Sequence, residues 1–186
     1  MLPTIEHSPE TVARIREGDV AAFESLYRAM HQPLRTFATR YLGDTGRAEE
    51  LVQDLFFDIW KSRAEWQVAG SVRSYLFSAV RNRALNMCRR ETVERDWADD
   101  EAGDSVRALH PAPPRPDTEL ERAELSAQLT RALASLPERC ALVMHLRWQD
   151  TMSYADIAQV LGISVKGVEV QLARGLRYLR NRIGAP

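Results

Sequence analysis

The chain has 186 residues, 45% of them hydrophobic, which suffices for one ordinary domain or two small ones and excludes wholesale disorder. Twenty-five basic side chains against 26 acidic ones leave a net charge of −1, so total charge names no partner and its distribution must be read instead. Cys88 and Cys140 stand far apart with no second ligand nearby, and no signal-peptide core or membrane-length apolar run is present. A disulfide framework, a zinc site and membrane insertion are therefore set aside, and reduced thiols in the cytoplasm are expected.

Helical periodicity runs through the chain and strand alternation does not. Ser8-Pro9-Glu10 has the form of a helix start, with a cap, a first-turn proline and a carboxylate at the positive end of the dipole. Phe23, Leu26, Tyr27, Met30, Leu34, Phe37 and Tyr41 then share one helical face. "LGDTGR" breaks that helix, and Asp44 is placed to cap the next, whose stripe is Leu51, Val52, Leu55, Phe56, Ile59 and Trp60. "EWQVAGS" is a loop. Leu76, Ala79, Val80 and Met87 trace a further helix from about Ser74 to Arg90.

The composition then shifts. Residues 91–121 hold ten acidic residues against three arginines, together with "HPAPPRP", a stretch that resists helix and sheet alike. Residues 92–117 are read as a flexible acidic linker between domains at 1–91 and 118–186. Helical pattern resumes with Leu120, Leu125, Leu129 and Leu133. Ser135-Leu136-Pro137-Glu138 has the form of a capping box, leading into a helix that carries Ala141, Leu142, Met144, His145 and Trp148. The expected fold is all-α, two small helical domains on a tether.

"SYADIAQVLGISVKGVEVQL", residues 153–172, meets the positional demands of a helix-turn-helix. Ser153 opens the first helix, Ala158 is small where the second helix crosses, and Gly162 tolerates the turn's positive φ. Ile157, Leu161, Ile163 and Val168 flank the turn, and Ser164 caps the second helix. An ordinary helical hairpin has the same shape, so charge must decide. From Gly162 onward there are five basic residues, Lys166, Arg174, Arg177, Arg180 and Arg182, and one acidic residue, Glu169. Val168, Leu172, Leu176 and Leu179 are expected to pack while the arginines face phosphates. Ser164, Val165, Lys166, Glu169, Val170, Gln171 and Ala173, with Arg174 and Arg177, are the candidate duplex contacts.

Two further segments carry opposite charge. Residues 71–90 hold five arginines (Arg73, Arg81, Arg83, Arg89 and Arg90) and no acid, with Tyr75 and Phe77 interleaved and Trp66 upstream. Such a pattern can hold an unpaired strand, or it can be a solvated basic face over buried aromatics. Residues 44–58 hold five carboxylates and one arginine, with Phe57 off the apolar stripe beside Asp54 and Asp58. An aromatic among acids suits docking to a basic protein, although a solvated acidic face has the same composition.

The order of these signals resembles the extracytoplasmic-function sigma factors of bacterial RNA polymerase. The residues that carry the resemblance are "RAEELVQDLFFDIW", "VRSYLFSAVRNRALNMCRR", the acidic linker and "LPERCALVMHLRWQDTMSYADIAQVLGISVKGVEVQLARGLRYLR", over roughly Asp19 to Ile183. The resemblance implies that Glu50, Gln53, Asp54, Phe57, Asp58 and Trp60 meet core polymerase. It implies that Arg73, Arg81, Asn82, Arg83, Asn86, Arg89 and Arg90 meet the minus-ten promoter strand, and that the loop Gln67–Ser71 pockets a flipped base. The helix-turn-helix would read the minus-thirty-five element, and the linker would thread toward the RNA exit path. Core polymerase, promoter DNA and an anti-sigma factor are the implied partners of a chain that is a monomer when free.

Gly167 stands where relatives commonly carry threonine, and Glu169 where many carry lysine or arginine; "SVKGVE" is similar to the subgroup of iron-citrate signalling. The family's commonest promoter is therefore not carried over, and no domain is expected beyond Pro186. A stand-alone helix-turn-helix regulator would need a ligand pocket or dimer interface in residues 1–90. An enzyme would need a constellation that is missing: there is no HExxH, glycine-rich phosphate loop or nucleophile elbow, and His7, His31, His110 and His145 are scattered. No cofactor, metal or catalytic residue is expected.

Overall fold

The structure, a computed structural model, describes residues 9–96, 131–133 and 135–183. The chain divides into two compact units, Met1–Arg107 and Ala108–Pro186, and no strand occurs among the described residues. The first unit holds α1 (Pro9–Arg16), α2 (Val20–Leu42), α3 (Thr45–Lys61), a 3-10 turn (Arg63–Glu65) and α4 (Val72–Asp96). The second holds α5 (Glu138–Trp148), α6 (Tyr154–Leu161) and α7 (Val165–Ile183). Ser8, the stripe from Leu120 to Leu129 and the linker beyond residue 96 lie outside the described residues.

In the first unit α3 and α4 both pack on α2. Leu26, Met30, Leu34 and Phe37 of α2 are fully buried, against Val52 and Leu55 of α3 and Leu76, Phe77, Val80 and Ala84 of α4. The Phe37 and Phe77 rings lie 5.0 Å apart, and Tyr27 meets Phe56 edge-on at 4.9 Å. Caps set where the helices begin. Asp19 accepts a hydrogen bond from the Ala22 amide, and Asp44 accepts one of 2.8 Å from Arg47. Gly43 closes α2 at φ 68°, the left-handed conformation that a side chain disfavours. The helix expected from Ser74 to Arg90 begins earlier, at Val72, where Ser71 Oγ accepts from the Ser74 amide. It also runs past residue 91 to Asp96.

In the second unit Cys140, Val143 and Leu146 of α5 pack with Ile157 and Val160 of α6 and Val168 and Leu172 of α7. Ser153 Oγ accepts from the Asp156 amide and so caps the helix it was expected to open. Gly162 takes φ 63°, and Ser164 Oγ accepts from the Gly167 amide at 3.1 Å, so the turn and second cap form as expected. Ser135 behaves differently. Pro137 itself occupies the cap position of α5 without a side-chain bond, and the Ser135 hydroxyl turns back to the Ala132 carbonyl at 3.0 Å. His145 and Asp150 are both buried, with Nε2 and Oδ2 3.2 Å apart. That pair folds the turn after α5 inward while Thr151 adopts φ 52°. Trp148, on the same helix, is 52% exposed.

The stripe expected on α7 needs one correction. Leu176 is 47% exposed and Leu179 half-buried; the position that packs is Gly175. Residues 168, 172, 175 and 179 keep the 3.6-residue period, and residue 176 is about 100° off it. A Cβ at Gly175 would stand 2.6 Å from Met144 Sδ and 3.4 Å from Cys140 Cβ, so the missing side chain is what lets α7 approach α5. Gly167 is unlike it, because a Cβ there meets nothing closer than Ser164 Oγ at 3.4 Å. Two substitutions should therefore act in opposite directions. Gly175→Val should lower the unit's stability in urea by about 1–3 kcal/mol through overpacking. Gly167→Ala should raise it by about 0.5–1 kcal/mol through helix propensity.

Candidate nucleic-acid and docking interfaces

The apolar stripe of α3 faces α2, which turns Glu50, Gln53, Asp54, Phe57, Asp58 and Lys61 outward. Positions 50, 54, 57 and 61 fall on one helical face. Phe57 is 64% exposed at its centre, so an aromatic ring stands in water among carboxylates. Trp60 is placed otherwise. It is half-buried, 4.8 Å from the Phe23 ring, with the Arg63 guanidinium 4.6 Å over its face. It therefore borders the acidic face from within the packing. Gln53 Nε2 donates to Glu49 Oε1 at 2.9 Å, and Glu49 also meets His31 at 2.7 Å and Arg35 at 3.3 Å. Burial pushes the Glu49 carboxyl up, and hydrogen bonds from His31 and Gln53 outweigh it, so the net shift is downward. This network pins α3 to α2 directly behind the exposed face.

On α4 the structure separates the arginines from the aromatics. Phe77 and Trp66 are buried and Tyr75 is half-buried against Trp66, with ring centres 6.0 Å apart. The first two rings belong to the core, which leaves polar side chains on the outer face of α4. Asn82, Asn86, Arg89 and Arg90 are exposed; Arg73, Arg81 and Arg83 are half-buried. Arg73 lies over the Phe77 ring at 5.7 Å. Arg83 crosses to α3, where its Nη2 lies 2.9 Å from Asp58 Oδ2. Two residues expected in different interfaces are thus in contact.

The loop before α4 borders a cleft of about 310 Å³ lined by Val12, Arg16, Trp66, Gln67, Val68, Gly70 and Val72. Val12 and Arg16 come from α1, and Arg16 Nε donates to the Ala64 carbonyl at 3.3 Å. Sequence reasoning reached the loop and missed α1, because no local pattern joins segments about fifty residues apart.

In the second unit Lys166, Glu169, Val170, Ala173, Arg174 and Arg177 are exposed along one side of α7, and Ser164 and Val165 are exposed at its start. Val170 and Val165 are 53% and 45% exposed, which leaves apolar side chains in water on the same surface as the cations. Gln171 stands apart. It is half-buried, and its Oε1 accepts from Cys140 Sγ at 3.2 Å. Among the described residues no group of three or more His, Cys, Asp or Glu could hold a metal ion, and no helix is long and apolar enough to cross a membrane.

The family models for sigma-70 region 2 and sigma-70 region 4 match residues 26–93 and 126–179. The chain is 22% identical over 185 residues to the ECF RNA polymerase sigma factor SigK of Mycobacterium sp. (strain KMS), covering 98% of this chain and 94% of SigK. It is 29% identical over 168 residues to the ECF sigma factor SigF of Caulobacter vibrioides, covering 90% and 88%. The chain belongs to the extracytoplasmic-function sigma factors. As a sigma factor it directs RNA polymerase to promoters and starts transcription there. Its fold is like that of the sigma factor RpoE from Bartonella quintana, solved in complex with the anti-sigma factor NepR, with a TM-score of 0.63, 23% identity and coverage of 89% and 99%. CnrH, solved with the cytosolic domain of CnrY, gives 0.58 at 25% identity, covering 92% and 94%. Region 2 of this sigma factor contains the acidic face of α3 and the basic face of α4, and region 4 contains the helix-turn-helix.

The Glu49 network fixes a pH dependence. A carboxylate held below its ordinary range contributes stability that is present at neutral pH and is lost as the pH falls through its folded-state value. The urea midpoint of the first unit should therefore drop on acidification below the ordinary glutamate range. Glu49→Gln should lower the neutral midpoint and flatten that acid limb, as followed by tryptophan fluorescence.

Proposed function

We propose that the exposed face of α3 docks on core RNA polymerase through Glu50, Gln53, Asp54 and Phe57, with Trp60 at its border. On α4, Arg73, Arg81, Asn82, Arg83, Asn86, Arg89 and Arg90 hold the opened minus-ten strand, and the cleft beside residues 66–72 receives an extruded base. On α7, Arg174 and Arg177 grip phosphates. Ser164, Val165, Lys166, Glu169 and Val170 approach the edges of a minus-thirty-five element, and Gln171 braces the helix from behind. The observation that carries this reading is the segregation of charge onto the outer faces of adjoining helices, with Phe57 standing in water on the acidic one.

The chain is a binding subunit and not an enzyme, because the polymerase supplies the chemistry. It works in the cytoplasm, without cofactor or metal, as a monomer when free. An anti-sigma factor restrains it by covering these same faces; the similarity to RpoE, solved with the anti-sigma factor NepR, supports this reading. Run-off transcription from a promoter library tests the whole. Core polymerase with the chain should start at a set of sites that core alone ignores, and unchanged start sites would overturn the reading.

Single faces are tested separately. Phe57→Ala with Asp54→Ala should weaken core binding by about 2 kcal/mol or more, the scale of an interface anchor, with thermal stability kept. Arg174→Ala should weaken promoter binding evenly across sequences and reduce the salt slope by about one unit. Glu169→Ala should instead relax choice at one base pair, by ~1–3 kcal/mol. A reversed pattern in the last two would mean that α7 presents a different side to the groove.

A further inference from the structure

We infer that Asp58 is a positioning residue for promoter opening, acting through Arg83, rather than a member of the polymerase dock. The inference rests on the strand-holding role given to α4 above.

Three observations carry it. First, Asp58 differs from the other carboxylates on the outer face of α3. Its Oδ2 lies 2.9 Å from Arg83 Nη2, and it stands about 100° round the helix from Phe57, whereas Glu50 and Asp54 share the exposed face of that ring. Second, Arg81 and Arg83 are not neighbours on α4. At roughly 100° per residue they stand about 200° apart, with the buried stripe Leu76, Val80 and Ala84 between them. Asn82, Asn86 and Arg89 occupy the opposite, exposed arc. Arg83 is therefore the cation at the seam with α3, where Asp58 meets it. Third, the contact engages one edge of the guanidinium. Nη2 meets the carboxylate, and the remaining N–H groups stay available to a phosphate.

The physical consequence is pre-organisation. A free arginine loses rotamer freedom when a phosphate fixes it, and one already ordered by a neighbour loses less. Both side chains keep substantial exposure, 36% for Arg83 and 56% for Asp58, so the pair contributes little to folding. Its effect falls on the step at which the strand arrives.

The test uses holoenzyme reconstituted from core polymerase and the full chain, with the chain saturating so that docking affinity drops out. Unpaired thymines at the promoter are read by permanganate. Asp58→Asn should lower the open fraction roughly two- to fivefold, the range of one surface ion pair, with an unchanged thermal midpoint. Asp58→Glu should restore most of the loss. Arg83→Gln should lower opening at least as far, and Asp58→Asn added to it should lower it no further. Three outcomes overturn the inference: a loss that vanishes at saturation, a loss that adds fully to that of Arg83→Gln, or a gain in opening, which would mean that Asp58 sequesters the arginine. Should Arg81→Gln, Asn82→Ala and Arg83→Gln all leave opening intact, the role of α4 falls and the inference with it. If those variants lower opening and Asp58→Asn does not, the inference alone falls.

Discussion

Packing α3 and α4 onto α2 constrains everything the first unit can do. Val52, Leu55, Leu76, Phe77 and Val80 must face inward to meet Leu34 and Phe37, and burying side chains of this size stabilises by about 1.5–3 kcal/mol each. Once those stripes are fixed, the helical period dictates what is left outside. On α3 the remainder is acidic with one phenyl ring; on α4 it is amide and arginine. The proposed binding surfaces are thus the complement of the core. A substitution that rotated either stripe by one residue would bury a charge and expose a core side chain, which is why fold and interface cannot vary independently here.

A comparable constraint operates in the second unit, carried by two glycines with different tasks. Gly162 adopts a left-handed turn that lets α7 leave α6 at the required angle. Gly175 supplies absent volume, so that α7 can lie close against Met144 and Cys140. The first sets the direction of the recognition helix and the second sets its depth. With both fixed, Gln171 is drawn inward to Cys140 and the row from Lys166 through Arg177 is left in water. Burial raises the Cys140 thiol's pKa, which suits a group that serves as a hydrogen-bond donor inside the helix pair.

What could be read from the sequence follows from which forces are local. The stripes of α2 and α3, the caps at Asp44, Ser153 and Ser164, and the turn at Gly162 depend on residues within a turn or two of one another, and all were legible. The Ser135 cap was misjudged because its hydroxyl can either accept from an amide at a helix N-terminus or donate to the Ala132 carbonyl, and only tertiary placement decides between them. Gly175 was passed over because an apolar stripe is recognised by its side chains, and here the packing residue has none. Leu176 was assigned inward for the same reason, as the nearest leucine to an unseen gap. The His145–Asp150 pair, the α1 side of the cleft and the Asp58–Arg83 contact join separate elements, so no periodicity could reveal them. Individual orientations depend on such contacts as well: Trp66 and Phe77 are buried, in keeping with the reading of a basic face over buried aromatics, Gln171 turns to Cys140 and Asp58 reaches Arg83.

The segregation of charge also explains why a nearly neutral chain can serve a polyanionic target. Opposite patches cancel in the sum and not in space, because exposed charges more than about 8–10 Å apart are largely screened from each other at physiological salt. On the proposed reading, what counts at the DNA is therefore the local row of arginines on α7 and not the charge of the whole chain. The same screening limits what either proposed DNA-binding surface can do alone. A single helix with a few phosphate contacts holds duplex weakly, and a strand-holding face has no substrate until the duplex opens. Affinity must come from joining the two binding events. A shared scaffold that presents both promoter elements at once raises the effective concentration of the second contact without adding any new one. On this argument the polymerase is part of the recognition device, and the weakness of each separate surface is what makes promoter choice depend on it.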